Sequence, residues 1–355
     1  MVDSVKCKMQ RESNIELLRI IVMLFILMHH LIVHALCPSV LSGKVELSAE
    51  YATYSIMEGF FYVGVNVFLL ISGYFGIRLR ARRIWSLYLQ LAFYGLLAYS
   101  VGVTLSSVPM VPHTFITKSI FIFSHASSWW FVVCYMMLMI ISPFLNVGMR
   151  ELTKKQYLFG LICYTFLQIY LGWFWQKEAF DTTGYNFLNF IYLYLIGGYL
   201  HRFVTIDRIK HARVLTLGSY VGSALIFGTC NIFRLYLNIP FGYLWGYNNP
   251  IIIIGAISLF LFALTFKFDS NAINTIAGGG FAAYLLTDIG YTGDVIYRVF
   301  GDFAHTITFL PFRIVMTFVI AIFLLLVTSG IELLRVRLMR PIISAFDWVD
   351  RRLDV

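Results

Sequence analysis

Charge is what this chain lacks most. Of its 355 residues only 13% are charged, whereas 59% are hydrophobic, and the mean hydropathy is +0.79. A water-soluble domain has about a quarter charged residues, so a chain this poor in them reads as an integral membrane protein. Cysteine is scarce too. Cys7, Cys37, Cys134, Cys163 and Cys230 are scattered with no CxxC pair, which argues against a disulfide framework or a zinc site, and no metal is expected. Low-complexity tracts, Gly/Pro-rich linkers and internal repeats are missing, and no polar interval exceeds about thirty residues, too little for a separate soluble domain. Residues 1–355 therefore read as a single membrane domain with no appended extracytoplasmic domain. A cleavable signal peptide is not expected either. The opening MVDSVKCKMQRESN is polar and basic, and the apolar run behind it is too long for a signal core. Walker A, HExxH, GxSxG and dinucleotide-type glycine signatures are absent.

What the chain has instead is long apolar runs. A helix needs about 20 apolar residues to cross the hydrocarbon core. Ten windows meet or approach that: 15–36, 58–77, 84–106, 127–147, 156–175, 185–202, 213–236, 249–267, 279–300 and 309–334. The expected fold is thus all-α, a polytopic helical bundle. The ninth window is the weakest, with Asp288, Asp294 and Arg298 in a glycine-rich GGGFAAYLLTDIGYTGD. Lipid does not solvate bare backbone, so that segment is expected inside the bundle or along a wet cavity. If the spans alternate from an inside N-terminus, 21 of the 27 Lys and Arg residues fall on the inside, including Arg78, Arg80, Arg82 and Arg83. The positive-inside rule then places both termini in the cytoplasm. The net charge of +9 belongs to these loops, so it does not call for a nucleic-acid partner.

The first run, LLRIIVMLFILMHHLIVHA, contains Arg19, His29, His30 and His34. At 100° and 1.5 Å per residue, Arg19 and His30 lie about 20° apart around the helix and roughly 16 Å apart along it. His29 points about 80° away from Arg19, and His34 lies one turn beyond His30 on nearly the same stripe. Arg19 has two open readings, snorkelling to the headgroups or facing the interior. An imidazole at the depth of His30 marks function, because ionisable groups in spans face the bundle interior and imidazole titrates near neutrality. His29 reads as a supporting group. In the second window Asn66, Ser72 and Tyr74 must be satisfied internally, while Ser72-Gly73 suits close helix packing. The following RLRARRIW serves topology, or binds an anion, since guanidinium forks match phosphate. Trp129 and Trp130 fit an interfacial belt, or a platform for a sugar ring.

In this order, NIELLRIIVMLFILMHH, GVNVFLLISGYF, RARRIW and the Trp-containing fourth window resemble membrane-bound acyltransferase family 3, bacterial enzymes that O-acetylate glycans and related acceptors. The resemblance implies catalytic roles for Arg19 and His30, and places the loop's Arg-x-x-Arg on Arg80 and Arg83 as the binding site for acetyl-CoA, the acyl donor. It puts the Ser-Gly-Tyr motif on Ser72, Gly73 and Tyr74. Apart from the resemblance, His29 and Asn66 read as supporting groups, and His34 either meets the acceptor or lies at the interface, as do Trp129 and Trp130. The resemblance also implies a multi-pass protein of the bacterial cytoplasmic membrane acting on a surface polysaccharide or its lipid-linked precursor, as in exopolysaccharide biosynthesis. Two positions depart from the pattern: Asn66 stands where many relatives have an acidic residue, and Asp288 where they often have histidine. The rival class is a carrier or flippase for lipid-linked glycans, which would be built as two pseudo-symmetric halves, and none are visible. A glycan polymerase would need a larger outer loop than 37–57 or 107–126.

Overall fold

A computed structural model describes residues 12–43, 47–105, 111–119, 129–178, 180–181 and 183–352. Lys6, Cys7, Lys8, Arg11 and Lys44, which entered the charge count or the cysteine tally, lie outside the described residues. Helix makes up 81% of the structure, and the described residues contain no strand. The main helices are α1 (Ser13–Leu31), α2 (Ala49–Phe61), α3 (Gly64–Phe75), α4 (Ala81–Leu105), α5 (Trp130–Glu151), α6 (Lys154–Leu167), α7 (Phe187–Phe203), α8 (Ala212–Ile232), α9 (Pro250–Leu264), α10 (Phe281–Thr287), α11 (Gly290–His305) and α12 (Leu310–Ala345).

Seven helical stretches among the described residues are long and apolar enough to cross a membrane: Ser13–Leu36, Ala49–Phe75, Ala81–Leu105, Trp130–Glu151, Lys154–Phe174, Ala212–Ile232 and Leu310–Arg352. The other three expected windows fall on α7 with 17 residues, α9 with 15, and the broken pair α10–α11. The second stretch starts earlier than its window. What reads in sequence as an outer loop, 37–57, already contains the start of helix α2 from Ala49, which carries Glu58 into the bundle.

Helix α1 is the axis of the molecule. It packs against α2, α3, α9, α10, α12 and a short helix, Asn271–Ala277. Val22, Leu27, Met28 and Ile32 are fully buried along it. At its far end it widens into a π turn, Ile32–Leu36, a distortion common beside functional sites. Glycine sets two of the closest crossings. A Cβ on Gly73 would stand 2.0 Å from the Tyr194 carbonyl oxygen, and one on Gly197 would stand 2.3 Å from that of Leu70, so α3 and α7 meet backbone to backbone. A Cβ on Gly59 of α2 would likewise stand 2.0 Å from the Ala224 carbonyl oxygen of α8. Small residues at such crossings let dispersion and backbone contact replace the hydrophobic drive that lipid does not provide. Large apolar side chains such as Phe144, Phe159, Val214 and Phe323 are exposed on α5, α6, α8 and α12, as a lipid-facing surface requires.

The break between α10 and α11 is satisfied within the protein. The Tyr297 hydroxyl donates to the Thr287 carbonyl at 2.6 Å, and the Thr292 hydroxyl donates to that of Leu286. Ala282, Ala283 and Leu285 are fully buried. A helix interrupted at this depth needs such donors for its freed carbonyls.

Candidate active site

Two cavities are strung along α1. The first is lined by Arg19, Glu16, Ser72, Tyr135 and Gly278 among others; the second by His29, His30, Tyr62, Trp130, Tyr247 and Asp288 among others. They share Met23, Phe68, Phe131 and Phe281, so the arginine chamber and the histidine chamber adjoin at an apolar collar. The stripe on α1 thus has Arg19 in one chamber and His30 in the other.

In the histidine chamber each ring is oriented by a partner. His30 Nδ1 lies 3.2 Å from the Thr287 hydroxyl, which itself donates to the Ala283 carbonyl at 2.9 Å. With its proton spent on that carbonyl, the Thr287 oxygen accepts from Nδ1–H. In that arrangement a neutral His30 carries its proton on Nδ1 and turns the Nε2 lone pair away from Thr287. His29 is no bystander. It lines the same chamber, and its Nδ1 meets Glu58 Oε2 at 2.6 Å, with the Glu58 side chain wholly buried. The His29 and His30 rings are 5.7 Å apart. Glu58 is absent from the sequence-derived site. The available signal was an acidic residue inside an apolar helix next to a packing glycine, but it fell on the edge of the predicted window.

Aromatic side chains wall this chamber. Tyr62 and Tyr247 stack at 4.6 Å, Trp130 stacks on Tyr247 at 5.6 Å, and Tyr185 closes on Tyr247 at 4.7 Å. The Tyr62 hydroxyl donates to the Trp245 carbonyl, and Asn66 Nδ2 donates to the Tyr247 carbonyl at 2.9 Å, which fixes the wall to α3. Trp130 therefore faces the cavity. Trp129 is buried, with its indole N–H donating to the Leu285 carbonyl at 3.3 Å, instead of standing in a lipid belt. Asp288 lines the chamber with Oδ2 unpaired among the described residues. His34 is exposed beyond the chamber; its ring stacks on Tyr297 at 4.8 Å and meets His30 edge-on at 5.9 Å.

The arginine chamber is looser. Arg19 reaches Glu16 at 3.4 Å and stays 38% exposed. Ser72 turns its hydroxyl back onto the Phe68 carbonyl. Beyond Gly73, at the same end of the bundle, lies a pocket lined by Tyr74, Arg78, Arg80, Arg150, His201 and Arg202, with no carboxylate in its lining. Arg80 Nε is buried there without a partner among the described residues, and Tyr74 packs edge-on against His201 at 4.7 Å. Arg83 is not among the pocket residues; it donates to the Arg78 carbonyl at 3.3 Å. The pocket suits an anion with several charges, such as phosphate groups.

The acyltransferase family 3 model, described as an acyltransferase domain, matches residues 12–328, a stretch that contains every residue of both chambers and of the basic pocket. No curated protein and no solved structure matches the chain. Its apolar helices and the extent of this match make it a multi-pass membrane acyltransferase, a member of acyltransferase family 3.

Proposed function

We propose that the protein moves an acetyl group from cytosolic acetyl-CoA to a hydroxyl of a cell-surface polysaccharide or its lipid-linked precursor, across the cytoplasmic membrane of a bacterium. The observation that carries this reading is the pair of chambers on one helix, with a cation in one and two oriented imidazoles in the other, adjoining at four shared apolar side chains. In this reading all ten windows span, with α7, α9 and α10–α11 enclosed by the longer helices, and both termini are cytoplasmic. That puts Arg19 and the basic pocket on the donor side.

Arg80, with Arg78, Arg150 and Arg202 around it, holds the donor's phosphates, and Arg83 braces the loop that presents them. Arg19 steadies the pantetheine arm, which is long enough to cover the roughly 16 Å from Arg19 to His30. His30 Nε2 takes the proton of the acceptor hydroxyl as general base, or carries the acyl group transiently. Trp130 and Tyr247 offer ring faces to a sugar, with His34 at the outer approach. The test is surface acetylation in cells carrying His30→Ala at normal protein level. Base-labile acetate should disappear; full acetylation overturns the role of His30. CoA release from acetyl-CoA by the purified protein separates this function from that of a carrier, which releases none.

A further inference from the structure

The reading above leaves Glu58 without a task. It is a wholly buried carboxylate in a membrane helix; its Oε1 has no partner among the described residues, and its Oε2 meets only His29. An unpaired carboxylate at such a place is very costly. A charge buried there needs a hydrogen-bonded partner of opposite sign, and His29 Nδ1 at 2.6 Å is placed to be that partner as an imidazolium. A protonated imidazole donates from both nitrogens. With Nδ1–H committed to Glu58, Nε2–H is the remaining donor of His29, in the chamber that His30 lines from an adjacent position on α1.

We propose that His29 is a catalytic residue that donates Nε2–H to the acyl carbonyl oxygen and stabilises the negative charge it gains, and that Glu58 is the positioning residue holding His29 in that state. The proposal rests on the acyl-transfer reading and divides its labour between two histidines. The acceptor oxygen bonds to the acyl carbon and its proton passes to His30 Nε2. Charge collects on the carbonyl oxygen opposite His29. The carbon–sulfur bond then breaks, and the departing thiolate takes the proton from His30. His29 begins and ends the cycle protonated, so no proton is gained or lost. A donor fixed in advance in a water-poor cavity is where electrostatic catalysis is strongest.

Substitution chemistry tells a donor from a base, because a carboxamide donates a hydrogen bond but cannot take up a proton. The experiment measures CoA release from acetyl-CoA, used as the probe, together with base-labile surface acetate, for His29→Gln, His29→Ala, Glu58→Gln, His30→Gln and His30→Ala in membranes of matched protein content. His29→Ala is expected to lower kcat by about 10²–10³-fold with KM for acetyl-CoA nearly unchanged, and His29→Gln to recover at least tenfold of that loss. Glu58→Gln, which can still accept from Nδ1–H but lacks the charge, should fall between wild type and His29→Ala, again in kcat. His30→Gln should be as inactive as His30→Ala. The proposal is overturned if His29→Gln is no better than His29→Ala, if the loss lies wholly in KM, or if Glu58→Gln matches wild type. Retained activity in His30→Ala would instead strike the acyl-transfer assignment itself. Size-exclusion profiles in detergent show that each variant is folded; for any that is not, His29→Asn keeps a carboxamide donor for the comparison with His29→Ala, and Glu58→Asp, which keeps the charge at a shorter reach, should hold more activity than Glu58→Ala.

Discussion

The two chambers on α1 differ in how firmly their polar groups are held. In the histidine chamber His30 is set by Thr287, His29 by Glu58 and the Tyr247 wall by Asn66, all within the buried bundle. In the arginine chamber Arg19 has, among the described residues, a long contact to Glu16 and keeps more than a third of its side chain exposed, and Ser72 bonds to its own helix. Chemistry rewards groups fixed before the substrate arrives; a long, flexible donor arm is better served by a cation that can follow it. The difference predicts that substitutions in the histidine chamber lower kcat, whereas those on the arginine side mainly raise KM.

The largest effect should come from His30→Ala, with transfer reduced by about 10²–10⁴-fold, the range for a general base. Thr287→Val sharpens the point. It keeps the volume but removes the oxygen that selects the His30 tautomer, so kcat should fall by about tenfold with KM for acetyl-CoA unchanged. Steady-state CoA release checks both. If Thr287→Val raised KM instead, the histidine chamber would not be the pre-set one.

Both chambers depend on the glycine crossings. Gly73→Val would drive a side chain into the Tyr194 carbonyl, where even a Cβ stands 2.0 Å away. Overpacking of this kind costs about 1–3 kcal/mol or more, here against rigid backbone. A clear loss of thermal stability in detergent is expected, with activity at both chambers lost together. A stable, folded Gly73→Val protein would mean that α3 and α7 can move apart.

Much of this was legible in the sequence, and what was missed follows from what sequence periodicity can reach. The separation of Arg19 and His30 into two levels of one stripe needs only helical geometry, which is local. The pairing of His29 with Glu58 joins residues 29 positions apart on different helices, and no helical wheel reports it. The wheel turned His29 aside from Arg19, and the structure shows what it turns toward. Trp129 and Trp130 suggested a belt because amphipathic rings near a window edge usually form one; the α10 segment, against which Trp129 hydrogen-bonds, puts them inside. The window at α10–α11 is broken where the Tyr297 and Thr292 hydroxyls take up the freed carbonyls of Thr287 and Leu286, contacts that a hydropathy window does not report. Asn66, a departure from the family pattern, has a local reason: its amide donates to the Tyr247 carbonyl. An aspartate there would set a carboxylate oxygen against that carbonyl.

On the arginine side a moderate effect is expected from Arg19→Ala: KM for acetyl-CoA up by about tenfold and kcat within a few-fold, with Arg19→Lys restoring part of the loss because a flexible cation suffices there. A drop confined to kcat would place Arg19 with the chemistry and erase the contrast between the chambers.

The smallest effects separate two neighbours in the arginine loop. Arg80 lines the basic pocket with its Nε unpaired among the described residues, whereas one Arg82 guanidinium nitrogen donates to both Asp347 carboxylate oxygens in a pair whose side chains are both more than a third exposed. Exposed pairs of that kind contribute about 0–1 kcal/mol. Arg82→Ala should therefore leave KM for acetyl-CoA within about twofold and stability nearly unchanged. Arg80→Ala should raise KM by about three- to tenfold, since it removes one charge-assisted contact from several. The Arg80 effect should also shrink as ionic strength rises, because salt screens a half-open pocket. The same titration on Arg82→Ala should give a flat line. If the two variants behaved alike, the cluster would act only as a topology signal, and the donor's phosphates would have to be held elsewhere.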